Sequence, residues 1–391
     1  MNPLSQIISR EAAPSGVLTF ARFMELALYC PVHGYYETKK DNPGRRGDFY
    51  TSVSVGELFG QLLAFQFAEW LETLNSQALA APKRSAGGST LNLVEAGAHD
   101  GKFAGDILTW LQLNRPKLFG QIEYWIIEPS ARRQEWQKKT LEQYSSQVRW
   151  FDSLRSTFSP DPKSEIRNPK LSGVIFSNEL LDAMPVHRYG WDTAKKTWFE
   201  WGVAVEDEKF VWARIPDTLD PQSGERAGAR GAFENPPPSP ELLAVLPDGY
   251  TIETCPAAES WWREAANVLG HGKLMTIDYG FTADELFSPG RSHGTLRAYF
   301  RHHAGADLLA NVGEQDLTAH VNFSAIQAAG ESMGLRTEIF STQSQLLTRI
   351  LAKASKGHSP GKWTSVQARQ FQTLTHPEHL GRAFRVLVQS R

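Results

Sequence analysis

The chain has 391 residues, of which 41% are hydrophobic, so it is long enough to bury one large core or two smaller ones. Its 41 basic and 43 acidic residues leave a net charge of −2, which excludes a strong global attraction to nucleic acid or anionic lipid. The two cysteines, Cys30 and Cys255, are too few for a disulfide scaffold and have no metal-ligand spacing.

The sequence contains few signals for a particular cellular compartment. Residues 1–16 do not contain the apolar run of a signal peptide, and no run of about eighteen apolar residues occurs anywhere. The small number of cysteines favours a reducing compartment. We therefore expect a soluble, cytoplasmic protein that is not exported and that has neither nucleic acid nor a membrane as its partner.

Apolar residues at helical spacing predict two helices near the N-terminus, over Phe20–Leu28 and Leu58–Leu71. The loop between them is rich in glycine and polar residues and includes Asp48, Thr51 and Ser52. Short side-chain oxygens in such a loop can close a ligand pocket as a lid. The alternative is an ordinary turn in which Asp48 bonds to its own backbone.

Short apolar runs that alternate with helical patterns begin at residue 91. Each run is followed by polar or Gly/Pro residues, as in parallel strands that are buried on both faces. This βαβ organisation predicts an α/β fold whose functional edge lies where the strands end. The predicted strands are Leu91–Ala96, Ile122–Ile127, Val148–Phe151, Gly173–Phe176 and Lys273–Ile277.

A second pattern interrupts this alternation. Aromatic and polar residues alternate within residues 185–214, which predicts inserted antiparallel strands, and residues 215–240 resemble an exposed connection. An apolar edge on the inserted strands would suit either a homodimer or another partner. The predicted regions are an N-terminal helical extension with a lid loop (1–76), a linker (77–90), and a core (91–391) with an insert at about 185–255.

The run Leu91–Gly101 combines a buried strand, an acidic residue, a glycine turn and the start of a helix. Glycine lets a ligand approach the backbone, and the helix offers free N–H groups and its positive dipole end. Glu95 precedes the turn, whose predicted cofactor contacts are Gly97, Ala98 and Gly101.

Glu128 ends the next predicted strand, where a carboxylate can accept both ribose hydroxyls of an adenosine. With the first acid and the glycine turn, it favours S-adenosylmethionine over NAD, because a dinucleotide fold prefers G-x-G-x-x-G. The alternative is that Glu128 caps the helix that begins near Ser130.

Ordered motifs also lie along most of the chain: Pro31–Tyr36, Gly47–Ser52, Leu58–Gly60, Asn178–His187, Ile277–Gly280, Thr295–Arg297 and Asp316–Phe323. From Gly16 onward the chain resembles the MidA-like family of class I S-adenosylmethionine-dependent methyltransferases, which includes a mitochondrial arginine methyltransferase. The resemblance implies a Rossmann-like sheet closed by an antiparallel last strand, an N-terminal helical extension and an inserted antiparallel region. It also implies S-adenosylmethionine as cofactor and a protein side chain, with arginine favoured, as acceptor.

Two departures from the family pattern stand out. The family's first turn resembles E-L-G-P-G-x-G, whereas here His99 stands at the middle glycine and Asp100 follows it. The family also continues G-D-F-x-T-S with Pro-Glu, whereas this chain has Val53-Ser54. Because of these departures, an alternative function stays open: a non-catalytic scaffold that aids the assembly of a partner complex. A NAD-dependent dehydrogenase is disfavoured by the absent glycine triplet.

The resemblance implies few reactive groups, because methyl transfer requires mainly close and dry positioning of donor and acceptor. Glu179 and Asp182, which follow the fourth core strand, are the predicted catalytic carboxylates. A carboxylate that hydrogen-bonds a guanidinium can leave one of its nitrogens more nucleophilic. The alternative is structural, with Asp182 bracing the loop before Pro185 and Glu179 pairing with a basic residue.

The remaining predicted contacts follow from position and from the resemblance. Asn178, Thr51 and Ser52 are predicted to contact the cofactor, and Asp152, after the third core strand, is predicted to contact adenine. The histidines have no metal-ligand spacing, so we expect no metal site. The predicted acceptor-binding residues are Asp48, His187, Asp278 and Tyr279. The alternative for Asp278 is that it caps the next segment.

Overall fold

The computed structural model describes residues 2–38, 51–80, 91–158, 170–216, 240–300, 303–305, 307–357 and 363–391. The helices are α1 (Pro3–Ala12), α2 (Phe20–Tyr29), α3 (Tyr35–Thr38), α4 (Ser52–Val55), α5 (Leu58–Ala80), α6 (Lys102–Asn114), α7 (Pro116–Phe119), α8 (Ala131–Thr140), α9 (Pro240–Val245), α10 (Pro256–Val268), α11 (Ala283–Leu286), α12 (Phe323–Ser332), α13 (Gln343–Gly357) and α14 (Ser365–Thr375). The strands are β1 (Leu18–Thr19), β2 (Leu91–Ala96), β3 (Ile122–Ile127), β4 (Val148–Phe151), β5 (Leu171–Asn178), β6 (His187–Asp192), β7 (Thr197–Glu206), β8 (Lys209–Arg214), β9 (Thr251–Thr254), β10 (Leu269–Phe281), β11 (Arg297–Phe300), β12 (His303–Gly305), β13 (Asp316–Thr318), β14 (Val321–Asn322), β15 (Arg336–Thr342) and β16 (Phe384–Ser390).

The chain divides into two compact units, each built from three segments. The boundaries of the extension, linker and insert that the sequence suggested stay predictions. The expected linker and the expected exposed connection fall mainly on residues 81–90 and 217–239, which lie outside the described part of the chain. The core unit comprises Tyr50–Leu180, Trp261–Tyr279 and Ala329–Arg391, and the insert unit comprises Met1–Phe49, Leu181–Ser260 and Gly280–Ala328.

The core unit is built on a sheet with the strand order β15-β16-β10-β5-β2-β3-β4. The strands β10, β5, β2, β3 and β4 pair in parallel, whereas β16, the last strand of the chain, pairs antiparallel with both β10 and β15. This arrangement confirms the predicted α/β fold and its antiparallel last strand. β2, β3 and β4 have the predicted bounds, whereas β5 and β10 extend beyond the predicted runs.

Helices α5 and α6 cover the sheet with apolar side chains. The ring of Phe176 on β5 lies 4.7 Å from that of Phe67 on α5 and 5.9 Å from that of Phe103 on α6. All six residues of β2 are buried, including the polar Asn92 and Glu95, so the strand does not alternate between buried apolar and exposed polar residues. α5 continues beyond the predicted Leu71 to Ala80, since this stretch contains no glycine or proline to end it.

The insert unit contains the predicted antiparallel strands. Its larger sheet has the order β1-β7-β6-β9, with β8 also paired to β7, and all of these pairs are antiparallel. A smaller sheet has the order β12-β11-β13. α2 packs on the larger sheet through Phe20 and Phe23, whose rings lie 5.0 Å from Trp212 and 5.4 Å from Phe210. The alternation of aromatic and polar residues therefore reflects a half-buried sheet.

Two leucines on α6 provide a matched test of the core. Leu108 is fully buried, whereas Leu113 is 74% exposed. Leu108→Ala should lower the free energy of unfolding by about 2–5 kcal/mol, because it removes buried methyl groups and leaves a cavity. Leu113→Ala should change it by less than about 0.5 kcal/mol. Chemical denaturation of both variants checks this, and equal losses would contradict the packing of α6.

Candidate active site

The carboxyl ends of three neighbouring strands bring the predicted core residues together. Ala96 on β2 pairs with Ser177 on β5, and Ile277 on β10 pairs with Asn178 at the end of β5. The turn after β2 and the segment after β5 therefore lie side by side. Parallel α/β sheets bind their ligands at such an edge.

The turn after β2 is shaped for close backbone approach. Gly97 has a φ of +79°, and a Cβ atom there would lie 3.0 Å from Leu180 Cδ1. Gly101 has a φ of +83° and is the N-cap of α6, with no side-chain cap bond. Ala98 is buried between them. Backbone N–H groups and the positive end of the α6 dipole are thus presented in one short turn, which suits an anionic or polar ligand group.

His99 occupies this turn in a left-handed conformation, with a φ of +47°. Such a conformation is uncommon for a residue other than glycine. The His99 carbonyl accepts a hydrogen bond from Gln137 Nε2 at 3.0 Å, and the neighbouring Asp100 Oδ1 accepts one from Lys102 N at 3.0 Å. The turn keeps a glycine-like backbone although the family's middle glycine is missing.

Glu128 lies just after β3 and is 1% exposed. Its Oε1 accepts from Ser130 N at 2.9 Å and lies 3.0 Å from Arg133 Nη2, while its Oε2 accepts from Gln137 Nε2 at 3.1 Å. The bond to Ser130 N and the ion pair with Arg133 of α8 correspond to the helix-capping alternative. Contact with a ribose stays a prediction.

Glu95 lies in an apolar part of the core unit. Its carboxyl is 2% exposed and accepts a hydrogen bond from the Tyr124 hydroxyl at 2.5 Å. Burial raises the pKa of Glu95 to about 8, and the charge of Asp100 acts in the same direction, whereas the Tyr124 hydrogen bond acts against them. Glu95 is therefore largely protonated at neutral pH, and its predicted contact with the cofactor stays untested.

Glu179 follows β5 and has a left-handed backbone, with a φ of +51°. Its Oε1 accepts hydrogen bonds from Ser52 N at 3.3 Å and from Asn178 Nδ2 at 3.0 Å, and its N–H donates to Ile277 O at 2.9 Å. Strained non-glycine residues often occur at functional sites. Among the described residues, none bonds to the buried Asn178 Oδ1, which leaves an acceptor at this edge of the sheet.

The other predicted core residues have specific partners. Asp278 is fully buried, and its two carboxylate oxygens accept from Leu180 N at 3.1 Å and from Tyr279 N at 2.8 Å. Tyr279 packs its ring 3.9 Å from that of Phe384. Asp152 is exposed and accepts from Gln134 Nε2 at 3.1 Å. The bonds of Asp278 to backbone N–H groups match its capping alternative.

The predicted lid loop is described only from residue 51 onward, so Asp48 lies outside the described residues. Thr51 and Ser54 form a capping box at the start of α4. Ser52 is fully buried, and its hydroxyl donates to Gln343 Oε1 at 2.9 Å. The side chains of Thr51 and Ser52 therefore bond within the protein, and their contacts to a cofactor stay predictions.

Asp182 and His187 belong to the insert unit. Asp182 is 6% exposed, and its backbone carbonyl accepts from Ala319 N at 2.9 Å. His187 Nδ1 lies 2.6 Å from Glu200 Oε1. His320 stacks on Phe281 at 4.7 Å, and burial lowers its pKa to about 4, so this imidazole is neutral at physiological pH. Catalytic or acceptor-binding roles for Asp182 and His187 remain predictions.

The sequence did not indicate a role for Gln137, a fully buried polar residue on helix α8. Its amide donates to the His99 carbonyl and to Glu128, and its oxygen accepts from Trp150 Nε1 at 3.0 Å. It thus ties the glycine turn to the acid after β3. No local pattern marks a glutamine for such a role, because its three partners come from three different elements.

The residues at this edge fit S-adenosylmethionine. The glycines allow backbone approach, the start of α6 offers N–H groups to a carboxylate, and Glu128 supplies oxygens that suit ribose hydroxyls. The chain is an S-adenosylmethionine-dependent methyltransferase. Residues 62–341, more than half of its length, match the family described as "Putative S-adenosyl-L-methionine-dependent methyltransferase", and the chain belongs to that family.

Named relatives and a solved structure agree with this assignment. The human mitochondrial protein arginine methyltransferase NDUFAF7 is 26% identical to this chain, and the match covers 98% of this chain and 82% of the human protein. The Rattus norvegicus protein of the same name is 27% identical, and the match covers 98% of this chain and 83% of the rat protein. A Burkholderia thailandensis protein crystallised with S-adenosyl-homocysteine is 30% identical, with a TM-score of 0.76 over 99% of this chain and 92% of its own.

The expected cytoplasmic location is wrong, since the human, rat and Caenorhabditis elegans relatives are all mitochondrial proteins. A low cysteine count argues only against an oxidising compartment and does not distinguish among the others. None of the helices in the described part of the chain is both long and apolar enough to cross a membrane. Within the same residues, no group of three or more His, Cys, Asp or Glu side chains could hold a metal ion.

The glycine turn yields a test of cofactor binding. Gly97→Ala should weaken S-adenosylmethionine affinity at least ten-fold, because it combines a left-handed backbone with a Cβ contact to Leu180. Gly16→Ala is the matched control, since Gly16 has a similar φ of +75° but open space around it. Calorimetric titration of both variants measures the effect. Equal affinities in the two variants would show that the turn does not bind the cofactor.

Glu95 yields a test of pH dependence. Its folded-state pKa of about 8 lies above the ordinary value of 4.5, so the folded state binds more protons between these values, and its contribution to stability falls as pH rises through them. Glu95→Gln removes this term and still offers Tyr124 an acceptor. As the pH rises from 5 to 9, the free energy of unfolding of the variant should increase relative to that of the wild type by on the order of a few kcal/mol.

Denaturant unfolding across that pH range measures the difference. The exposed Glu142 provides the matched control, and Glu142→Gln should leave the pH profile unchanged. A Glu95→Gln profile parallel to that of the wild type would contradict the buried, protonated carboxyl.

Proposed function

We propose that this methyltransferase acts on an arginine guanidinium in a protein substrate, with Glu179 as the group that holds the acceptor and takes its proton. The names of the mitochondrial relatives support arginine as the acceptor. The single observation that carries the role of Glu179 is its position. Glu179 follows β5 at its carboxyl end, has a left-handed backbone, and belongs to the segment that leaves the sheet beside the glycine turn.

The local contacts explain why Glu179 suits this role. Ser52 N and Asn178 Nδ2 both donate to its Oε1, which fixes the direction of the carboxylate. A carboxylate has about four lone-pair sites and can bind a guanidinium through a forked pair of N–H groups. The oriented pair would hold one guanidinium nitrogen in line for attack.

S-adenosylmethionine, when bound, supplies a methyl group on a positively charged sulfur. Glu179 accepts hydrogen bonds from the guanidinium and concentrates electron density on the attacking nitrogen. As the N–C bond forms and the S–C bond breaks, one proton must leave that nitrogen, and the Glu179 carboxylate takes it. The acceptor ends as a methylated guanidinium with the same charge, and the donor ends as a neutral thioether.

The other predicted residues have supporting roles in this proposal. Asn178 Oδ1 accepts an N–H group of the cofactor, and the glycine turn with Glu128 binds the rest of it. Asp278 shapes the backbone that carries Leu180 and Tyr279, through its bonds to their N–H groups.

Glu179→Gln tests the proposed function. The amide keeps the size of the side chain but can neither neutralise the guanidinium nor take its proton, so turnover should fall at least a hundred-fold. Affinity for S-adenosylmethionine should stay within a few-fold of the wild type. Methyl-labelled S-adenosylmethionine and a cell lysate provide the assay, with methylated arginine detected after acid hydrolysis.

A matched substitution at an exposed position, Glu378→Gln, should leave both turnover and affinity unchanged. If the wild type binds the cofactor but labels no acceptor, the scaffold alternative replaces the enzyme proposed here. If Glu179→Gln retains full turnover, another group removes the proton.

A further inference from the structure

A chain of buried polar contacts within the core unit leads to the Glu179 carboxylate. The Gln343 amide donates to Leu374 O at 3.0 Å, and its Oε1 accepts from the Ser52 hydroxyl at 2.9 Å. The backbone N–H of Ser52 then donates to Glu179 Oε1 at 3.3 Å. Gln343 and Ser52 are both fully buried. Each link joins residues that are far apart in sequence.

The contact between Gln343 and Ser52 is one of several that hold this segment, since Val53 and Val55 pack on the core and Lys102 Nζ donates to Val53 O at 3.4 Å. Ser52 is the first residue of α4, a helix of only four residues. The capping box between Thr51 and Ser54 gives this turn its shape, since Thr51 Oγ1 accepts from Ser54 N at 3.0 Å. A bond within the turn cannot fix where the turn sits against the sheet. The bond to Gln343, which begins α13, anchors the Ser52 side chain to another element of the core unit.

We propose that Gln343 is a positioning residue, which acts through Ser52 to hold the Glu179 carboxylate in the orientation that methyl transfer requires. This inference rests on the catalytic role proposed for Glu179. Because Gln343 is fully buried, its proposed action requires no contact with the acceptor or the cofactor.

The geometry makes this link sensitive to small movements. At 3.3 Å the bond from Ser52 N to Glu179 is already long for an N–H donor, and a further shift of about half an ångström would break it. Without Gln343 Oε1, the buried Ser52 hydroxyl would lose its acceptor, which favours displacement of the turn. The bond from Asn178 Nδ2 to the same carboxylate oxygen does not depend on Gln343.

Gln343→Leu removes both polar contacts at similar volume. It should lower kcat about ten- to a hundred-fold, as expected for misplacement of a reacting group by up to about an ångström, with the S-adenosylmethionine Kd within two-fold of the wild type. Ser52→Ala should give a similar loss of kcat. Because the two residues act in series, the double variant should lose no more than the larger single loss.

Gln343→Glu separates positioning from simple stabilisation. A buried carboxyl facing the Leu374 carbonyl favours its protonated form, which still accepts from Ser52 and can donate to Leu374. The folded Gln343→Glu enzyme should therefore retain most of the wild-type kcat, although burial of a titratable group lowers its thermal stability. If Gln343 were only structural, kcat per folded enzyme would be the same in every variant as in the wild type.

The matched control is Gln345→Leu, which makes the same exchange two positions later in α13, where the side chain is exposed and bonds Thr342 N. It should leave kcat unchanged. Turnover is measured with methyl-labelled S-adenosylmethionine and lysate protein as acceptor, and Kd is measured by calorimetry with the cofactor alone. Circular dichroism is used to check that each variant is folded.

The results distinguish the two proposals. If Glu179→Gln is inactive but Gln343→Leu has wild-type kcat, or if the double variant shows additive losses, the positioning role is overturned and the proposed function stands. If the wild type transfers no methyl group, or if Glu179→Gln is fully active, the proposed function fails and the role of Gln343 fails with it.

Discussion

The parallel pairing of β2 with β5 is the constraint on which the core unit's site depends. Because Ala96 pairs with Ser177, the glycine turn and the Glu179 segment must leave the sheet next to each other. In parallel strands the carboxyl ends meet at one edge, so a single register places backbone donors and an acidic side chain together. A shift by one residue would turn the side chains of β5 to the opposite face.

Buried polar side chains make this edge specific. Gln137 joins the glycine turn to Glu128, and Gln343 joins α13 to the turn that contacts Glu179. Satisfied polar contacts inside a core contribute little net stability, but each becomes costly if it is half broken. Such contacts therefore select one arrangement of the loops more than they stabilise the fold. A methyltransferase benefits, since its reaction depends on positioning.

The sequence predicted the sheet well because its signal is local. The apolar runs of β2, β3 and β4 are bounded by turn residues, and a strand buried on both faces has few alternatives. The glycine turn was recognisable for the same reason. Gln343 and Ser52 are 291 positions apart, and no periodicity links two such residues. The partner of Glu95 also depends on strand register, which a single sequence does not fix.

The two acids that the sequence placed together have different surroundings. Glu128 pairs with Arg133 and accepts hydrogen bonds from the amide of Gln137 and from a backbone N–H. Glu95 has a hydroxyl as its partner among aromatic rings, and its raised pKa favours the neutral form. A neutral Glu95 adds no negative charge beneath the glycine turn, where Asp100 already lies. The two acids are therefore not equivalent, although a cofactor contact stays a prediction for both: Glu128 is held by an ion pair and an amide, and Glu95 by the hydroxyl of Tyr124 on the neighbouring strand.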